Sequence, residues 1–138
     1  MNMEQLASLA KDAMEKAYSP YSNYKVGAAL LCKDGSVYTG CNVENASFSA
    51  TNCAERTAFF KAVSEGKREF AAIAICGGKD GVIDSLFPPC GVCRQVMREF
   101  CEDDFEIHLL TRDGIETYTL GQLLPVSFAP KIINRTEK

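Results

Sequence analysis

Phe70-Ala71-Ala72-Ile73-Ala74-Ile75-Cys76 is the stretch on which the fold turns. Seven consecutive residues carry no charge, so there is no alternation between a wet and a dry face. That pattern predicts a strand covered on both sides, in a sheet with helices on each face. Working outward, residues 53–65 set Ala54, Ala58, Phe59, Ala62 and Val63 at helical spacing, with Gly66 as the stop. Residues 3–17 repeat the pattern through Leu6, Leu9, Ala10, Ala13, Met14 and Ala17, ending before Ser19-Pro20. The apolar run Lys25–Cys32, the turn Lys33-Asp34-Gly35 and the stretch Ser36–Val43 predict a hairpin. Beyond the central strand come a loop over Gly77–Pro89, a helix over Gly91–Phe100 and a strand over Phe105–Thr111. After the turn Arg112-Asp113-Gly114, a last strand near Ile115–Thr119 leads into a helical turn at Leu120–Leu124. The order α-β-β-α-β-α-β-β-α predicts an α/β fold: an α-β-α layering around a mixed sheet of about five strands.

The chain has 138 residues, 46% of them hydrophobic and 24% charged. No repeat, low-complexity segment or linker divides it, so a single domain over 1–138 is expected. Eighteen acidic residues against 15 basic ones give a net charge of -3, which argues against binding nucleic acid through its phosphates. No apolar run approaches the roughly 20 residues that span a bilayer. The start Met1-Asn2-Met3-Glu4-Gln5 lacks a basic segment followed by an apolar one, which predicts a cytoplasmic protein without a membrane partner. Seven cysteines, an odd number in such a setting, are poor material for a disulfide framework.

Two of those cysteines stand in Pro89-Cys90-Gly91-Val92-Cys93, at the start of a predicted helix. Alone, this spacing fits either a shared metal or a redox pair. A third stands in Asn52-Cys53-Ala54-Glu55, also at a helix start, where Asn52 as cap and Glu55 as its reciprocal partner would make an ordinary capping box. Together the two motifs point to a metal. Cys53, Cys90 and Cys93 offer zinc three ligands, and the positive ends of two helices favour their thiolates. The fourth position stays open for water, as in catalytic rather than structural sites. Glu55 is placed to move that water's proton, which leaves the redox alternative without a role for Cys53 or Glu55. Three thiolates leave a divalent cation with excess negative charge, and Arg56 is the candidate to offset it.

Cys-Ala-Glu followed by Pro-Cys-x-x-Cys is the pattern of zinc deaminases that act on cytosine or adenine. The chain closely resembles the small homotetrameric cytidine deaminases of free nucleosides over essentially its whole length. Tyr18–Ala29, Gly40–Ala46, Cys53–Thr57 and Pro89–Gln95 carry the likeness, with Asn42-Val43-Glu44-Asn45-Ala46 narrowing it to the nucleoside branch. The resemblance implies one zinc per chain and hydrolytic deamination of cytidine and 2′-deoxycytidine, as in pyrimidine salvage. Glu55 would shuttle protons from water to N3 and to the departing amino group.

It further implies that Asn42 and Glu44 bind the ribose, chiefly its 3′-hydroxyl. Both are expected at the end of a strand, where alternate residues share a side. Tyr24 stands where the family usually has Phe lining the pyrimidine pocket. Phe128 matches an aromatic that the family donates across a subunit boundary. Phe48 departs from a common Tyr and removes one hydroxyl from the sugar site. Cys32, Cys41, Cys76 and Cys101 are expected in the core, and His108 in a structural role. The rivals are a structural zinc domain, with Cys76, Cys101 or His108 as fourth ligand, a deaminase of polynucleotides, and a deaminase of a nucleoside-like antibiotic.

Overall fold

The computed structural model describes residues 1–133, and its elements follow the expected order. Helix α1 (Met3–Met14) leads to strands β1 (Tyr24–Cys32) and β2 (Val37–Cys41), then α2 (Ala54–Ser64) and β3 (Phe70–Lys79). Helix α3 (Gly91–Phe100), strands β4 (Glu106–Thr111) and β5 (Gly114–Thr119), and short helices α4 (Leu120–Leu123) and α5 (Pro130–Ile133) complete it. The sheet has five strands in the order β2-β1-β3-β4-β5. Only β3 and β4 run parallel; the other neighbours are antiparallel.

Its two faces hold two cores. On one side Ala29, Ala72, Ala74 and Cys76 meet Leu6, Ala7, Ala10 and Met14 of α1. Small residues on both surfaces bring that helix close, and an Asn2–Gln5 capping box starts it. On the other side Ala28, Leu30, Ile73, Ile75, Ile107 and Leu109 pack under α2 and α3. Phe59 anchors this core, with Phe70, Phe105 and Phe100 at ring separations of 5.1, 6.1 and 6.2 Å.

Three sequence expectations need correction. The first helix stops at Met14 rather than residue 17, as the chain turns ahead of Ser19-Pro20. The central strand runs on to Lys79, because Gly77 and Gly78 still pair with Val26 and Lys25. The second strand ends at Cys41, not Val43. From there residues 42–44 form a connection bridged to Tyr18 on one side and Asn52 on the other.

Gly40 fixes the distance between the sheet and the helix that begins the site. A Cβ there would lie 2.6 Å from the Ala54 carbonyl oxygen and 2.7 Å from the Ala58 nitrogen, both backbone atoms of α2. Gly40→Ala must therefore push α2 off the sheet. Overpacking of this kind costs about 2–3 kcal/mol, so the melting temperature is expected to fall by roughly 5–10 °C. An unshifted thermal transition would refute this account of the contact.

Candidate active site

Helices α2 and α3 both begin at a cysteine. Cys53 is the N-cap of α2 and Cys90 the N-cap of α3, and neither side chain caps its own helix. Cys93 sits one turn into α3 and is 1% exposed. The alternative reading of Asn52–Glu55 as a capping box does not hold, since Cys53 takes the cap position and the Asn52 side-chain amide donates to Thr57 Oγ1 at 3.2 Å. Thr57 in turn donates to the Cys53 carbonyl at 3.1 Å. The Cys53 sulfur makes no bond to the helix amides and is free to serve another partner.

The three sulfurs lie within 4.8 Å of one another, and Cys53 Sγ to Cys90 Sγ is 3.8 Å. A tetrahedral zinc with sulfur at about 2.3 Å requires edges of about 3.8 Å, so the donor set fits that ion. Among the described residues these three form the one cluster of His, Cys, Asp or Glu donors tight enough to share a cation. A hydrogen bond shared with Cys93 holds the Cys53 thiol down to about 5, and Arg56 adds to this; the same bond pushes Cys93 up. Arg56 Nη2 donates to Cys53 Sγ at 3.3 Å. Burial opposes the Arg56 charge, but its hydrogen bonds to Cys53 and Cys93 outweigh that and keep it cationic.

Glu55 follows one residue behind Ala54 in the first turn of α2 and is 4% exposed. Burial lifts its carboxyl to about 7, where it exchanges protons at neutral pH. Its charge is felt at Cys93, so the carboxyl and the sulfurs form one electrostatic unit.

A second group assembles around the backbone of Tyr24. Asn42 is buried at 8% exposure; its Oδ1 accepts from Val26 N at 2.9 Å and its Nδ2 donates to Tyr24 O at 2.8 Å. Glu44 accepts from the backbone amides of Tyr21 at 2.9 Å and Ser22 at 3.1 Å, and from the Ser22 hydroxyl. That hydroxyl bond, helped by the two amides, holds the carboxylate below its usual range. Glu44 also lines a cleft of about 280 Å³ with Tyr21, Ser22 and Phe48. The Tyr24 ring stacks on Phe87 at 6.0 Å, over a second cleft of about 260 Å³. The Val43–Asn52 bridge, one residue from Cys53, joins this group to the sulfurs. Phe128 is 59% exposed, and its carbonyl accepts at 2.9 Å from Nε2 of Gln95, on the helix that carries Cys93.

Sequence reading missed Ser22 and Phe87. Ser22 lies inside the run Tyr18–Ala29 but carries no motif of its own, and Phe87 stands in a predicted loop. The cysteines expected in the core divide: Cys32, Cys76 and Cys101 are buried, whereas Cys41 is half-buried beside a surface cleft with Lys16 and Lys61. The alternative fourth ligands lie elsewhere. Cys76 is under α1, 4.0 Å from Met14 Sδ; Cys101 caps the far end of α3; His108 Nδ1 is 2.8 Å from Thr117 Oγ1. No helix among the described residues is long and apolar enough to cross a membrane.

Three thiols at two helix starts, with a buried carboxyl in the first turn of one of them, suit a zinc-dependent hydrolase of the α/β class. The chain matches the family "Cytidine and deoxycytidylate deaminase zinc-binding region" over residues 1–108. It is 50% identical to a cytidine deaminase of Sporosarcina psychrophila, over 94% of this chain and 93% of that protein. With a cytidine deaminase of Halalkalibacterium halodurans it shares 49% identity, over 97% and 99% of the two chains. The crystal structure of cytidine deaminase from Burkholderia pseudomallei superposes with a TM-score of 0.86 at 49% identity, covering 93% of this chain and all of that one. The chain belongs to the cytidine and deoxycytidylate deaminase family, and zinc is its metal.

Proposed function

We propose that the chain is a single catalytic domain that hydrolyses free cytidine and 2′-deoxycytidine to the corresponding uridines and ammonia. The proton-exchanging carboxyl of Glu55, buried behind three cysteine sulfurs, carries the proposal. Cys53, Cys90 and Cys93 hold one zinc per chain, and Arg56 offsets the charge of three thiolates. When bound, the ion supplies hydroxide at neutral pH by lowering the pKa of water to about 7. Glu55 would take a proton from the attacking water and deliver it to N3 of the pyrimidine as the oxygen adds to C4. The proton left on the added oxygen would then pass through Glu55 to the exocyclic nitrogen, and the C4–N bond breaks as the C4 carbonyl forms, releasing ammonia. Its pKa near 7 supports both halves of this shuttle, because neither protonation state is costly at working pH.

Asn42 and Glu44 bind the sugar, chiefly its 3′-hydroxyl. Their local bonds support this role, since an amide and a carboxylate already held in place lose little freedom when substrate arrives. Tyr24 lines the pyrimidine side, and Phe128 covers the base from a neighbouring subunit of a homotetramer. The domain spans 1–138, of which 134–138 lie outside the described residues. A cytoplasmic place in pyrimidine salvage follows from free nucleosides as substrates.

An ultraviolet assay on cytidine and 2′-deoxycytidine, run beside metal analysis, tests the proposal. Turnover of both nucleosides with about one zinc per chain is expected. A zinc-loaded chain inert on both would refute it.

A further inference from the structure

We propose that Arg94 is the positioning residue for the Cys90 thiol, and that zinc affinity depends on it. The inference rests on the reading of Cys53, Cys90 and Cys93 as the zinc ligands. Of the three, Cys90 is the one least held by its surroundings. Cys93 is packed inside α3, and Cys53 takes a hydrogen bond from Arg56. Cys90 is exposed, lies just outside its helix, and makes no bond to the amides it caps.

Its backbone is fixed from both sides by one residue. The Arg94 amide donates to the Cys90 carbonyl at 3.0 Å, as the first helical bond of α3. The Arg94 guanidinium returns past Cys90 and donates from Nε to the Pro89 carbonyl at 2.8 Å. These two carbonyls belong to the peptide planes on either side of the Cys90 Cα. Holding both planes fixes φ and ψ at Cys90, and with them the direction of its Cα–Cβ bond. Pro88 and Pro89 lack amide hydrogens, so the loop before Cys90 has few donors of its own with which to set its path.

The guanidinium is itself anchored. Nη1 donates to the Leu123 carbonyl at 2.7 Å, at the end of α4. A Thr119–Gln122 capping box ties the start of α4 to β5. A rigid planar fork reaching two carbonyls in different elements is a task for arginine that lysine, with one mobile ammonium, does poorly.

A purely structural staple would change stability and leave the metal alone, so the decisive measurement is zinc affinity, read by competition with a chromophoric chelator. Arg94→Met keeps the aliphatic stem and removes the donors. It is expected to weaken zinc binding by roughly 10–100-fold, the usual cost of losing a partner that orients a ligand. Arg94→Lys is expected to weaken it by roughly fivefold or more, and answers the question if the methionine variant does not fold. In the cobalt-substituted Arg94→Met protein, sulfur-to-metal charge-transfer absorbance per cobalt is expected to fall by about a third as Cys90 leaves the set. Arg98→Lys is the comparison on the same helix. Its guanidinium serves Asp103 and the Cys101 carbonyl at the other end, so it lowers the melting temperature and leaves zinc affinity unchanged. Zinc affinity of both Arg94 variants within about threefold of the parent, or an equal loss in Arg98→Lys, overturns the proposal. A parent protein whose cobalt spectrum lacks three thiolates removes the ligand reading and this inference together.

Discussion

Glu55→Gln is expected to lower cytidine turnover by about 10²–10⁴-fold while the protein keeps its zinc. Glutamine preserves the volume and the buried position, so the first turn of α2 and the sulfur cluster keep their geometry. What disappears is the exchangeable proton. The loss belongs in kcat more than in KM, because both proton transfers occur after the nucleoside is bound. Near-parental kcat with full zinc content would take Glu55 out of the mechanism. The same variant has a second, opposite effect on the metal-free fold. Glu55 ionises near 4.5 when unfolded and about 7 when folded, so burying its charge costs stability. Below pH 4.5 both states are protonated and the cost is absent; it grows from pH 4.5 to 7 and is complete above that. Glu55→Gln removes it. In chelator-treated protein the variant is expected to melt above the parent at pH 8 and level with it at pH 4.5.

Cys53→Ser is expected to abolish activity by removing the metal, with zinc content falling from about one per chain to near zero. Serine's hydroxyl is a poor ligand for zinc at neutral pH, and Arg56 then faces no sulfur at its 3.3 Å position. Serine is also a preferred N-cap, whereas Cys53 makes no capping bond. The metal-free variant is therefore expected to be as stable as the metal-free parent or more so, by about 0.5–1 kcal/mol. Cys76→Ala and Cys101→Ala reverse both signs: each keeps its zinc and loses stability, since these sulfurs fill the core. Metal analysis and thermal melting on the three variants separate ligand from filler. Full zinc retention in Cys53→Ser would refute its place in the site.

The sheet was legible because its central strand is apolar on both faces and because Gly66 and Gly114 sit at turns with positive φ. The end of β3 was less legible for a specific reason. Gly77 and Gly78 read as loop residues, yet they are strand residues that let other groups approach. A Cβ on Gly77 would meet the Phe87 ring at 2.9 Å, and one on Gly78 would meet the Val82 carbonyl oxygen at 1.8 Å. Glycine marks both chain reversal and close approach, and composition does not separate them. The sulfur cluster was legible because its spacing is a local property of two helix starts. The surroundings of Asn42 and Glu44 were not, because they depend on residues about twenty positions away: Tyr24, Val26, Tyr21 and Ser22. Alternation along a strand placed both side chains on one side, but the ladder stops at Cys41, and bridges to Tyr18 and Asn52 set their course instead.

Both helices that bring the sulfurs together begin at a residue that leaves its own amides uncapped. Stability alone would write serine or aspartate at positions 53 and 90, and either choice is expected to improve the helix while removing a proposed zinc ligand. Any attempt to make this protein hardier by consensus capping rules must therefore exempt these two positions. The best places to reinforce it lie at the opposite ends of the same helices, where Glu65 and Cys101 close them far from the chemistry.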